Sequence, residues 1–214
     1  MLTADRLFDG YNVQFNKSVL VLADKVAAVG DYAELSSQCA RQYDLGDATI
    51  MPGFIESHAH ISFQNVRHDK VLEHGITTAQ DTGGGPLQSP QGGDGSLRLL
   101  TTGPILQAQG GYPLNIFTPD DQVGGYDKVG LAIAPNATEN EVRAIVQNLV
   151  AGGASAIKIA LEVGGEAGAP WMMDHGHGAV PEAPWPVLSE EQVEWIVNEA
   201  HALGKKVLAH VRLS

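Results

Sequence analysis

Met51-Pro52-Gly53-Phe54-Ile55-Glu56-Ser57-His58-Ala59-His60 is the stretch on which the fold turns. Pro52-Gly53 punctuates the chain, and the short apolar run after it predicts a strand that ends in two histidines. Successive side chains of a strand point to opposite faces, so Phe54, Glu56, His58 and His60 share one face and Ile55, Ser57 and Ala59 the other. Two neutral imidazoles on one rigid face, at the strand's carboxyl end, can ligate one divalent metal without the ordering cost of a loop. The bare H-x-H pattern is weak, and its place on a strand is what raises it. A second pair, His175-Gly176-His177, lies among Gly, Pro and Trp with no strand pattern and is the weaker candidate for touching metal or substrate.

Upstream of this stretch, residues 1–50 read as short β-like runs broken by turns. Leu7-Phe8 precedes Asp9-Gly10, Val19-Leu20-Val21-Leu22 precedes Ala23-Asp24, and Val26-Ala27-Ala28-Val29 precedes Gly30-Asp31. Connections this short exclude helical crossovers, so a small antiparallel unit is expected over 1–52. Downstream the rhythm changes to strand, helix, strand. A helix is expected over 64–74, and strands over 76–81, 98–103, 156–161 and 206–211. Residues 104–136 read as a long Gly- and Pro-rich excursion, a length at which loops are usually functional. A second long loop runs from 162 to 187. Thr138-Glu139-Asn140-Glu141 and Ser189-Glu190-Glu191-Gln192 are helix-start patterns, each followed by apolar residues at helical spacing.

Alternating strands and helices predict an α/β domain of parallel units over 53–214. No glycine fingerprint follows the first strand, which argues against a dinucleotide fold. The polar residues instead fall at strand carboxyl ends: His58 and His60, Asp81, and His210. Sites of (β/α)8 TIM barrels are assembled at that end.

The 214 residues are 43% hydrophobic, a globular composition long enough to bury a core. A formal net charge of -12, with no cluster of Lys and Arg, excludes nucleic acid and anionic membranes as expected partners and leaves a small-molecule ligand, neutral or cationic. Cys39 is the one cysteine, so no internal disulfide is available. With neither a signal-type apolar segment at its start nor an apolar run of spanning length, a soluble, cytoplasmic protein is expected.

Lys158 stands between Ile157 and Ile159 in mid-strand. Alternation turns the isoleucines toward covering helices and the lysine toward a barrel interior, where a lone ammonium is costly. A salt bridge to Glu56, a side chain snorkelling to solvent, and a catalytic role all answer that cost.

Four motifs occur in order: Pro52-Gly53-Phe54-Ile55-Glu56-Ser57-His58-Ala59-His60; Gly75-Ile76-Thr77-Thr78; Gly152-Gly153-Ala154 with Ile157-Lys158-Ile159; and Glu199-Ala200-His201-Ala202-Leu203-Gly204-Lys205-Lys206-Val207 with His210. Together they resemble the N-terminal half of the metal-dependent amidohydrolase superfamily, in its imidazolonepropionase-like and prolidase-like branch. The resemblance implies the first five strands of an amidohydrolase-type TIM barrel, preceded by the N-terminal part of a small β-sandwich domain. It also implies one or two divalent metal ions, zinc or a similar ion. His58 and His60 would bind the more buried ion, Lys158 carboxylated by CO2 would bridge both, and His210 would bind the second. A metal-activated water would then attack an amide, peptide or carbamate-like C–N bond. The chain departs from the pattern at Glu56, where Asp is usual, at Gln80, a place often held by Arg, and at Tyr112, where some relatives carry a histidine. Tyr112 is therefore a candidate substrate contact as well as a packing residue, and Asp81 is expected as a strand-end cap rather than a catalytic acid.

The resemblance also implies residues this chain does not carry: a histidine on a sixth strand and an aspartate on an eighth. An unclosed parallel sheet leaves its edges unsealed. The expectation is a hydrolase completed by a C-terminal partner chain, or a homo-oligomer. The competing expectation is a non-catalytic fragment or subunit that self-associates.

Overall fold

The computed structural model describes residues 1–84, 90–116, 129–164 and 182–211. They fall into two compact units, Met1–Phe54 and Ile55–Ser214.

The first unit holds strands β1 (Leu2–Thr3), β2 (Arg6–Phe8), β3 (Val13–Phe15), β4 (Lys17–Leu22), β5 (Lys25–Asp31), β6 (Tyr43–Asp44) and β7 (Thr49–Ile50). They form two sheets, in the orders β5-β4-β1-β6 and β3-β2-β7. The turn-joined pairs β2/β3 and β4/β5 are antiparallel, as their short connections require. Two pairs correct the purely antiparallel expectation: β1/β6 and β2/β7 run parallel. Their members are far apart in sequence, so no hairpin dictates their direction. Met1, Leu20 and Leu35 form the small buried core of this unit.

The second unit contains β8 (Phe54–Ala59), β9 (Ile76–Asp81), β10 (Arg98–Thr101), β11 (Ile105–Ala108), β12 (Gly130–Ile133), β13 (Ile157–Ala160) and β14 (Val207–His210). One sheet has the order β10-β9-β8 and the other β12-β11-β13-β14. The pairs β9/β10, β11/β12, β11/β13 and β13/β14 are all parallel. The β9 strand has the expected bounds, and β13 and β14 lie within theirs.

The stretch 104–136 differs from its reading as a loop, because β11 and β12 lie within it. The third strand stops at Thr101, whose Oγ1 accepts the Gly103 N–H at 2.9 Å. Gly103 then takes φ +69°, a left-handed conformation that costs glycine little, and the chain resumes as β11. Ser155 N–H donates to Thr101 O at 2.8 Å, linking the end of β10 to the approach of β13.

Among the described residues, the α-helices of the second unit are His68–Glu73, Glu139–Ala151 and Glu190–Ala202, the first shorter than the expected 64–74. Both long helices begin with complete capping boxes, Thr138 with Glu141 and Ser189 with Gln192. Each box satisfies amide groups at a helix start that would otherwise lack partners. Val142, Val146 and Leu149 of one helix and Ile196 and Ala200 of the other pack on Leu106, Ile133, Ile157 and Ile159. Burying an isoleucine of this kind contributes about 1.5–3 kcal/mol. The sheet's helix-covered face is thereby fixed, and with it the opposite face on which the candidate site lies. Among the described residues, no helix is long and apolar enough to cross a membrane.

Candidate functional site

Strand alternation decides where Lys158 goes. Ile157 and Ile159 join the helix-facing core, and the side chain between them turns the other way. Lys158 is only 2% exposed, and its Nζ lies 3.2 Å from Nε2 of His58 on β8. Two residues distant in sequence are thus brought into direct contact. The salt bridge to Glu56 is not formed. Glu56 Oε1 instead accepts the backbone N–H of His58 at 2.8 Å. Burial also removes the snorkelling alternative.

His60 follows His58 on the same stretch. Its ring is 5.6 Å from that of His58, edge-on, and 5.0 Å from Phe63. Its Nδ1 is buried without a hydrogen-bond partner among the described residues. A buried polar atom left unsatisfied costs about 1–3 kcal/mol.

The net shifts in the cluster all run downward. Burial, then the nearby Lys158, lowers the pKa of His58. Burial first, and the neighbouring His58 second, pushes His60 down to about 4. Burial lowers Lys158 below the usual lysine range. His210 is lowered by burial and by Lys158, against an opposing pull from Glu162. The imidazoles are therefore held in their neutral, lone-pair-bearing form.

Asp81, at the end of β9, is fully buried. Its two carboxylate oxygens accept the N–H groups of Ile61 and Ser62 at 3.2 and 2.9 Å. Both oxygens therefore serve the backbone that turns directly after His60, and this contact fixes the exit of the histidine pair. Gln80 Oε1 receives the Ser155 hydroxyl at 2.9 Å, a contact to the approach of β13.

His210 ends β14. Its Nε2 is 3.5 Å from Glu162 Oε2, and its ring stacks on Tyr112 at 4.7 Å and 27°. Tyr112 in turn lies parallel to Trp185, 6.2 Å between centroids and 4° between planes. Tyr112 and Trp185 are buried, so this tyrosine packs within an aromatic layer beside His210. Among the described residues, no three His, Cys, Asp or Glu side chains are grouped to hold a metal ion. The direct contact is between His58 and Lys158, with His60 beside His58, while His210 belongs to the neighbouring group of Tyr112 and Glu162.

The donor set fits a divalent cation on chemical grounds. Neutral imidazoles are the form a metal binds, and basic nitrogens that lower one another's proton affinity are suited to sharing a Lewis acid instead. His60 Nδ1 is the imidazole nitrogen of this cluster that has no hydrogen-bond partner among the described residues.

Glu162 was not singled out from the sequence. Continuing the alternation from Lys158 through Ala160 reaches it, and that pattern was the available signal. His175 and His177 lie outside the described residues.

No protein-family model matches the chain, and no curated protein matches it in sequence. Solved structures do match. An amidohydrolase structure aligns at 25% identity with a TM-score of 0.70, over 98% of this chain and 56% of that one. A prolidase complexed with N-methylphosphonate-L-proline aligns at 21% identity and TM-score 0.68, over 98% and 55%. The A. niger ochratoxinase aligns at 18% identity and TM-score 0.68, again over 98% and 55%. The chain spans about half the length of these structures. The match at 25% identity along nearly all of its length, with a mixed α/β fold, relates this chain to the amidohydrolase superfamily.

Proposed function

We propose that this chain carries the metal-binding part of a hydrolase that cleaves a C–N bond of an amide, peptide or carbamate-like small molecule. The contact between Lys158 Nζ and His58 Nε2, at 3.2 Å on different strands, carries this reading. A buried lysine against a histidine is a poor structural choice on its own. It becomes a sensible one where the lysine is carboxylated by CO2. The unprotonated amine that burial favours can attack CO2, and loss of a proton then leaves a carbamate anion in place of a buried cation.

His58, His60 and carboxylated Lys158 would hold a divalent ion, zinc or a similar one, and His210 would serve a second. Such an ion supplies an activated water and polarises the scissile carbonyl. The chain's own groups do the rest. Asp81 fixes the backbone after His60, Glu162 and Tyr112 hold the edge and face of His210, and Trp185 lies parallel to Tyr112.

We further propose that β8, β9, β10 continued by β11, β13 and β14 are the first five strands of a TIM barrel, and that the first unit is part of a small β-sandwich domain. β8 and β14 end their sheets in the strand order, and Phe54, Ile55 and Val211 beside those edges are exposed. Further parallel strands, from a C-terminal partner polypeptide or a second copy, would seal them. A non-catalytic, self-associating subunit is the second reading. The exposed apolar residues Phe54, Ile55 and Val211 beside the end strands favour it.

The test is metal content and amide hydrolysis of the completed protein. Wild type is expected to contain a divalent ion and to turn over, and His58→Ala to lose both. Full activity in that variant would reject the assignment.

A further inference from the structure

Gln107 is 1% exposed, and a buried carboxamide needs partners for both ends. Its Nε2 donates to Gly111 O at 2.9 Å, and its Oε1 accepts Leu114 N–H at 3.2 Å. The two contacts bracket Tyr112-Pro113, so one side chain on β11 holds the backbone on both sides of the tyrosine. Tyr112 places its ring against His210 at 4.7 Å.

Two glycines keep this clamp in place. A Cβ on Gly130, in the adjacent β12, would come within 2.6 Å of Gln107 Oε1 and 3.0 Å of Leu114 Cγ. A Cβ on Gly111 would meet Pro186 O at 2.3 Å, so the loop lies directly against the segment that carries Trp185. The loop is thus fixed by Gln107 on one side and by residues 185–186 on the other.

We propose that Gln107 is a positioning residue, clamping the loop around Tyr112 so that the tyrosine ring fixes the face of the His210 imidazole. Glu162 holds the ring's edge and Tyr112 its face, so the imidazole is constrained in both directions, and the second constraint originates at Gln107. The proposal rests on the reading of His210 as a functional group, but its structural core is a coupling between Gln107 and His210 that exists without metal or turnover.

The experiment is NMR of the full chain labelled with 13C-histidine, with the His210 signal assigned by its loss in His210→Gln. Stacking on Tyr112 displaces the His210 Cε1–H resonance upfield, and Tyr112→Leu abolishes that displacement. Gln107→Leu is expected to reproduce most of the same loss while leaving the His58 and His60 signals in place. Gly130→Ala, which pushes on the carboxamide without replacing it, is expected to shift His210 in the same sense, and it stands in if Gln107→Leu does not fold. A His210 resonance unmoved in both variants, yet moved in Tyr112→Leu, overturns the proposal. Since neither metal nor substrate enters the measurement, failure of the hydrolase reading and failure of the clamp give different results.

Discussion

Replacing Lys158 by methionine separates the lysine's contribution to folding from its contribution to the site. Lys158 is 2% exposed, its polar contact is His58 Nε2 at 3.2 Å, and among the described residues no carboxylate pairs with it. Burying a polar group without full compensation costs about 1–3 kcal/mol, and one hydrogen bond returns about 1 kcal/mol. Methionine fills a similar volume without that cost. Lys158→Met is therefore expected to stabilise the EDTA-treated protein by about 0–2 kcal/mol at neutral pH, read by urea unfolding followed through tryptophan fluorescence.

The pH dependence has a definite sign. The lysine pKa is lowered by burial in the folded chain, so the unfolded chain binds more protons and wild-type stability rises with pH toward the ordinary lysine value of 10.5. The advantage of the methionine variant is thus largest at neutral pH and shrinks as pH rises toward that value. On the proposed metal site, zinc is expected to reverse the ranking. Ligand at a hundred times its dissociation constant adds about 2.7 kcal/mol to a protein that binds it, and the variant loses that increment. A metal-free variant less stable than wild type by more than about 1 kcal/mol, with no pH dependence in the difference, would refute the reasoning.

Asp81→Asn keeps one acceptor but turns an amide group toward the second of the Ile61 and Ser62 N–H groups. A loss of about 1–3 kcal/mol in unfolding free energy is expected, with a lowered melting temperature as the readout. His60 supplies an acid-side prediction. Its folded pKa of about 4 lies below the ordinary 6.5, so its stabilising contribution is present above 6.5 and is lost as pH falls toward 4. The loss amounts to at most about 3 kcal/mol. His60→Gln should flatten that part of the metal-free stability profile, and an unchanged profile would count against the burial of His60.

Much of the site-bearing unit was legible because its determinants are local. Pro52-Gly53 and the alternation after it announce the strand that carries the histidines. Lys158 between two isoleucines announces a side chain opposed to the helix-covered face. The boxes at Thr138 and Ser189 place two helix starts to the residue. What escaped depends on partners. β11 and β12 are four residues each, and Ile105-Leu106-Gln107-Ala108 and Gly130-Leu131-Ala132-Ile133 pair with each other across a long intervening stretch. Neither segment has a period that identifies it in isolation. The parallel pairing of β1 with β6 and β2 with β7 is non-local in the same way. Glu162 is marked only by the alternation that runs on from Lys158, and Gln107 matters only through Tyr112, so nothing in its immediate sequence marks it.

The most direct test of the central claim is crystallography of the zinc-loaded, completed protein, with diffraction recorded at the zinc absorption edge. An anomalous peak is predicted about 2.0–2.1 Å from a nitrogen of His58 and of His60, with a carboxylated Lys158 reaching the same ion. No peak between the two histidines, or a Lys158 that remains a free amine away from any ion, would contradict it.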